Sequence, residues 1–382
     1  MPTVSSPFYT DDHHAYREVV RQFTEKEIAP NVHEWDLAGE VPRDLYVKAG
    51  AIGLFGDGFD EEHGGHGQRD AIMRLVLMEE LCRAGSGGVV AALFSNYIGL
   101  PPIQRFASDE MKARVIAPCM SGEKIAALAI TEPSGGSDVA RIKTTARREG
   151  DEFVVNGSKT FITSGMRADF FTTAVRTGAE GSSGLSLLLI EGDRPGVDRT
   201  KLDKMGWLAS DTATLYFDDV RVPVENLITE EGAGFSAIVR NFNTERMDLA
   251  VQSTAFSRVC FDEAVAWARE RETFGKRLAD HQVIRHKVAD MVQRWSATQA
   301  MIELLAWRIT QGEQPVAEIC LLKNQATQTM EFCAREAMQI LGGAGYMRGS
   351  KVERIYREVR VNAIGGGSEE IMRDLAARQL GL

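Results

Sequence analysis

The sequence predicts an α+β protein in three parts: an N-terminal α-helical domain over residues 1–124, a middle β-barrel or sandwich over 125–230, and a C-terminal four-helix-bundle domain over 231–382. Three observations carry this. The first third repeats its apolar residues at helical spacing. After residue 124 the pattern turns to alternation broken by Gly, Ser and Pro, and from Gly234 it is helical again in long segments.

In the first part Tyr16, Val19, Val20, Phe23 and Ile28 share one helical face, and Pro30 ends the pattern. Further helices are expected over 42–49, 70–84, 89–97 and 109–119, the second of these with Ile72, Leu75, Val76, Met78 and Leu81 on its apolar side. The middle part opens with a strand over 125–130. Thr145, Arg147 and Glu149 then face one way before a Gly150-Asp151 turn, and Phe153 and Val155 follow. Asn156-Gly157 is the strongest short hairpin signal in the chain and predicts a turn joining EFVV to SKTFIT. Residues 185–190 and 212–220 add strands. The last part predicts helices over 235–269, 281–311, 316–341 and 368–380, lengths that suit an antiparallel bundle.

A net charge of -10 argues against a nucleic-acid binder, whose affinity rests on clustered Lys and Arg. The run Arg348, Lys351, Arg354, Arg357 and Arg360 is the one notable basic cluster, and it reads as a subunit contact or a solvated face. Cys82, Cys119, Cys260, Cys320 and Cys333 are odd in number and show no CxxC or zinc spacing, so buried thiols are expected. His63 and His66 lie in EEHGGHG without an accompanying ligand pattern, and a Gly-rich loop is a poor rigid platform. No metal is expected there, rather a turn at a pocket mouth. No apolar run approaches the roughly 20 residues that span a bilayer. The opening MPTVSSPFYTDDHH lacks a basic region and an apolar stretch, which places the protein in the cytoplasm as an expectation.

The stretch 131–139, TEPSGGSDV, follows directly on the first strand of the middle part. Gly135 and Gly136 let the backbone approach a bulky partner, and Ser134, Ser137 and the local N–H groups can donate to its oxygens. Such a turn can hold a cofactor; taken alone it reads first as an ordinary surface loop.

Four stretches together are more specific: TEPSGGSDV, KTFITSG at 159–165, RETFGKRL at 271–278 and QILGGAGY at 339–346. With the helix–strand–helix order, they resemble the acyl-CoA dehydrogenase family from about Tyr16 to the C-terminus. No GxGxxG opens a βαβ unit, so a Rossmann nicotinamide site is not indicated. The resemblance implies FAD between the middle domain and the C-terminal helices. Leu128, Ala129, Ile130 and Thr131 would meet the flavin edge, and Ser137 the cofactor phosphates and the thioester. Phe161, Ile162 and Thr163 would lie against the flavin face, where an aromatic excludes water. Arg271, Thr273, Phe274 and Gln282 would reach the FAD of a neighbouring subunit, with Gln339, Gly342 and Gly343 on the other side of that pocket and Ser368 and Glu370 as further contacts. Gly342-Gly343 is also a fitting helix C-cap. A homotetramer and an electron-transfer flavoprotein as acceptor are implied in turn.

The reaction needs a carboxylate to remove the α-proton of an acyl thioester while a β-hydride leaves to flavin N5. Where many relatives carry that Glu in Tyr-Glu-Gly-Thr, this chain reads IGGGSEEIM, with Gly366 at the position. The isovaleryl-CoA and long-chain members instead carry a Glu before an Arg on a bundle helix. Asn243-Thr244-Glu245-Arg246 matches this, which makes Glu245 the candidate base. The plainer reading is a Glu in the first turn of a helix capped by Asn243 or Thr244. Glu369 and Glu370 are weaker candidates. Drying of the site by substrate is expected to raise the Glu245 pKa. The Gly366 N–H would donate to the thioester carbonyl, Asn243 and Arg246 would line the CoA side, and Gly365, Gly366 and Gly367 would leave room for branched or wide acyl groups. An acyl-CoA oxidase using oxygen, a carrier-protein thioester as substrate, and a flavin-bound binding or stress protein without catalysis are the competing readings.

Overall fold

The computed structural model describes residues 6–67 and 70–382. Its first part is helical: α1 (Asp11–Phe23), α2 (Val32–Ala38), α3 (Arg43–Ala51), α4 (Ala71–Cys82), α5 (Gly87–Leu93), α6 (Ser95–Gly99), α7 (Pro101–Phe106) and α8 (Asp109–Met120). Asp70 starts α4 by accepting from the Ile72 and Met73 N–H groups, and Ser86 and Ser108 cap α5 and α8 in the same way. Between these helices, His63 stands beside Glu62 and Asp60, while the His66 ring fills the space over Gly53 and Gly56.

The middle part is one mixed seven-stranded sheet in the order β1-β4-β2-β3-β7-β6, with β5 on β4. The strands are β1 (Ala126–Ala129), β2 (Thr145–Glu149), β3 (Glu152–Thr163), β4 (Phe170–Arg176), β5 (Leu185–Glu191), β6 (Val197–Lys201) and β7 (Thr212–Pro223). The expected turn at Asn156-Gly157 is corrected here. β3 runs straight through it, and the hairpin to β2 turns at Gly150-Asp151, pairing Glu149 with Glu152. Gly157 instead marks a register shift against β7. A Cβ there would lie 2.6 Å from Thr144 Oγ1, so the glycine serves a close approach across the sheet.

The last part comprises α9 (Gly234–Glu270), the small hairpin β8 (Glu272–Thr273) and β9 (Lys276–Arg277), α10 (Gln282–Thr310), α11 (Val316–Leu341), α12 (Gly343–Tyr346), α13 (Lys351–Ile364) and α14 (Glu369–Gln379). α11 packs against α9, α10, α13 and α14. The basic run from 348 to 360 lies largely on α13, a helix that its charges disguised. It is not an open basic face: Arg354 is 3% exposed and pairs with Asp36 at 2.5 Å, Arg357 pairs with Glu353, Arg360 with Glu331, and Lys351 with Glu263. All five cysteines are buried free thiols. No described helix is long and apolar enough to cross a membrane.

Candidate active site

The glycine-rich turn after β1 is fixed from beneath by a buried ion pair. Lys159 on β3 donates to Glu132 Oε1 at 2.8 Å and to the Ile130 carbonyl at 3.1 Å, and Glu132 also accepts from the Lys143 and Thr144 N–H groups. Burial brings Lys159 down to about 8 against the pull of Glu132. The same burial would raise Glu132, but the Lys159 charge holds it below its usual range. Glu132 and Gly135 exchange both backbone hydrogen bonds, which closes the turn. Above it the space is open: a Cβ on Gly135 would meet no atom nearer than Asp138 O at 4.0 Å.

Beside the turn, β3 ends in strained backbone. Phe161 and Ser164 have φ of +60° and +59°, a conformation that costs a non-glycine residue on the order of 1–3 kcal/mol. Phe161 is left 68% exposed, its ring on the rim of a cavity of about 1080 Å³. Leu128, Ile130 and Thr131 from the β1 end, Ser137, Ile162 and Thr163 also line it. Ala129 points the other way into the core, as strand alternation requires.

The opposite wall is α9. Glu245 lies in the interior of this 37-residue helix, so the first-turn reading of that residue is set aside. Helical spacing puts Glu245, Asp248, Leu249 and Gln252 on the cavity side. Asp248 is held by Arg74 in a two-point ion pair at 2.8 and 3.1 Å, with the guanidinium 3.4 Å from the Tyr97 ring centre. The Glu245 carboxylate accepts no hydrogen bond among the described residues. Burial, reinforced by Asp248, pushes it up to about 7, against the opposing pull of Arg246 and Lys323.

Facing Glu245 is the turn between α13 and α14. Gly366 has φ +66°, and a Cβ built on it would lie 3.9 Å from Glu245 Cγ and 2.8 Å from Leu249 Cδ1. Its N–H meets no backbone carbonyl among the described residues, while its carbonyl accepts from Arg246 Nε at 3.1 Å. Arg246, Gly365 and Ser368 also line the cavity, and Ser368 caps α14. Asn243 sits behind, accepting from Arg246 at 2.8 Å.

The remaining expected site residues are not brought to this cavity within one chain. Arg271, Phe274, Gln282, Gln339, Gly342, Gly343 and Glu370 are exposed and Thr273 half-buried. Phe274, 97% exposed with φ +52°, forms the β8–β9 turn with Gly275. Gly342 ends α11, its N–H on the Met338 carbonyl. Sequence reasoning missed Asp248, Gln252, the Lys159–Glu132 pair and Lys323; helical spacing from Glu245 could have found the first two.

Family descriptions match in chain order: acyl-CoA dehydrogenase N-terminal domain over residues 10–123, middle domain over 127–220 and C-terminal domain over 232–381. The chain is similar to the structure of a probable acyl-CoA dehydrogenase from Mycobacterium abscessus, at 47% identity and TM-score 0.96 over 98% of this chain and 100% of that one. It is 35% identical to the rat (Rattus norvegicus) mitochondrial long-chain specific acyl-CoA dehydrogenase, over 97% of this chain and 87% of that protein. A chain in a structure titled for the electron transferring flavoprotein of Acidaminococcus fermentans matches at 32% identity and TM-score 0.93, covering 97% of this chain and 98% of that one. The chain belongs to the acyl-CoA dehydrogenase family of flavin-dependent oxidoreductases.

Proposed function

We propose that this protein converts an acyl-CoA thioester to its trans-2-enoyl-CoA with Glu245 as the base that takes the α-proton. The observation that carries the reading is the state of Glu245. It is a carboxylate on the wall of a large cavity, raised to about 7 and without hydrogen bonds. Glu132 and Asp248, which line the same cavity, are tied up in ion pairs. A base needs a pKa near the working pH and a free lone pair, and Glu245 has both. The family places its Glu at either of two distant sequence positions. The 3.9 Å between a Cβ on Gly366 and Glu245 Cγ supports the view that both serve one spot.

The residues present fit FAD. The cavity slightly exceeds the roughly 300–1,000 Å³ of ordinary small-molecule sites, as a flavin together with an acyl chain requires. The open cradle over Gly135, the Ser137 hydroxyl, Thr131, Thr163 and the exposed Phe161 ring offer the contacts that would hold it. When bound, FAD supplies the hydride acceptor for the β-hydrogen. Phe161 covers the rim against water, Glu245 takes the α-proton, and the free Gly366 N–H donates to the thioester carbonyl as negative charge develops there. The exposed Arg271, Phe274, Gln282 and Gln339 serve a neighbouring subunit's FAD in a homotetramer. An electron-transfer flavoprotein takes the electrons onward, a reading supported by the Acidaminococcus title. The small volume of Gly365, Gly366 and Gly367, in a cavity also lined by Val90, Ala91 and Ile98, suits branched or wide acyl groups.

Anaerobic bleaching of the FAD absorbance by straight and branched acyl-CoAs tests this. The expected result is fast bleaching, with branched chains among the good substrates. Bleaching by short straight chains alone removes the wide-pocket reading, and oxygen uptake with substrate would make the acceptor oxygen.

A further inference from the structure

Lys323, on α11, is fully buried and forms no ion pair with any described carboxylate. Its ammonium donates instead to the Gly367 carbonyl, in the turn that carries Gly366, at 2.5 Å, and to the Ala363 carbonyl at the end of α13 at 3.5 Å. From the other side Arg246 donates to the Gly366 carbonyl. Before the turn, the Gly365 N–H is bound to Val361 O at 2.8 Å, and after it Asn324 holds the Glu369 carbonyl at 2.9 Å. Three consecutive glycines are the most flexible backbone a chain can offer, and ordering them costs on the order of 1–2 kcal/mol per residue. Two cations from two different helices hold them in one arrangement.

A neutral donor such as Gln would satisfy the same carbonyls without the desolvation that a buried ammonium costs. The charge therefore calls for its own explanation, and the groups facing it suggest one. Burial lowers Lys323 to about 8. Glu245 pulls it back up, Arg246 pushes it down, and Glu369 and Cys320 raise it. Lys323 in turn pulls Glu245 down, alongside Arg246 and against Asp248. We propose that Lys323 is a positioning residue for the reaction: it holds the Gly366 N–H toward the thioester carbonyl and, by its charge, keeps the base Glu245 ionised. This rests on Glu245 being the base.

The test uses the FAD-loaded enzyme and its Lys323→Gln, Lys323→Met and Glu245→Gln variants, with the pH profile of kcat/KM and the anaerobic rate of flavin reduction for one acyl-CoA. Lys323→Gln keeps a donor to the turn but loses the charge. Its acidic midpoint is expected to move up by half a pH unit or more, with the rate at high pH within about tenfold of wild type. Lys323→Met loses both and is expected to show the same shift with a deeper rate loss at every pH. A wild-type midpoint in Lys323→Gln, while Glu245→Gln is strongly impaired, overturns the role of Lys323 alone. If Glu245→Gln keeps the wild-type rate, the base assignment falls and this inference with it. Should Lys323→Met fail to retain FAD, the Lys323→Gln midpoint decides.

Discussion

Two glutamates of this protein are raised to about 7 by burial, and they stand in opposite situations. Glu245 faces the cavity, and its carboxylate accepts no hydrogen bond among the described residues. Glu358, on α13, is fully buried and accepts from the Gly87 N–H at 2.8 Å and the Trp207 N–H at 3.1 Å, joining the C-terminal helices to α5 and to the loop after β6. For Glu358 those two N–H groups and Arg354 oppose the rise that burial and Asp36 produce; for Glu245 only the nearby cations do. The pair teaches that a raised pKa alone does not mark a base. What separates chemistry from architecture is whether the carboxylate's lone pairs are already in use.

Exchanging each glutamate for its amide should pull the two sites apart. Glu245→Gln is expected to slow anaerobic flavin reduction by about 10²-fold or more, with FAD retained and thermal stability unchanged or higher. Equal rates for wild type and variant would erase the distinction. A smaller loss is expected from Gly366→Ala, because φ is +66° and the new methyl would crowd Leu249 Cδ1 at 2.8 Å. Flavin reduction should slow by roughly tenfold, with about 1 kcal/mol of stability lost to the left-handed backbone. An unperturbed rate would show that the turn tolerates a side chain.

Glu358→Gln should leave flavin reduction near the wild-type rate. It should cost on the order of 1–3 kcal/mol in denaturant unfolding, since one amide oxygen replaces two acceptors and a buried N–H loses its partner. The smallest effect is its pH dependence. The folded pKa of Glu358 is raised, so its contribution is fully present below the unfolded value near 4.5 and is lost as pH rises through about 7. The stability deficit of Glu358→Gln is therefore expected to be larger at pH 5 than at pH 8, and a deficit growing with pH would contradict the account. In activity the sign is opposite for Glu245: the base must be ionised, so kcat/KM should fall as pH drops through about 7.

What was legible in the sequence followed from local pattern. α11 was expected over 316–341 and spans Val316–Leu341, because its apolar period is unbroken and Pro315 and Gly342 bound it. The turn at Asn156-Gly157 misled because the dipeptide is a local signal, whereas Gly157 answers to Thr144, a neighbour only across the sheet. α13 was hidden because four basic residues along it look like a solvated face. Only Arg357 has its partner, Glu353, close by in sequence; Asp36, Glu263 and Glu331, which pair with the other three, lie far away, and nothing local announces that Arg354 is buried. β6, a largely exposed edge strand reading VDRTK, has too little apolar alternation to be seen. Glu245 was reached through the motif Asn-Thr-Glu-Arg, but its carboxylate's lack of hydrogen bonds, and the buried Lys323 facing the same turn, exist only once α9, α11 and the 365–367 glycines are packed together.

The most direct test of the central claim isolates proton removal from hydride transfer. With the bound FAD already reduced, hydride has nowhere to go, and exchange of the C2 hydrogen of an acyl-CoA into D2O reports the base alone. Wild type should exchange readily, and Glu245→Gln should bind the same acyl-CoA yet exchange about 10²-fold more slowly or less. Exchange at the wild-type rate in Glu245→Gln would show that another group takes the proton and that Glu245 is not the base.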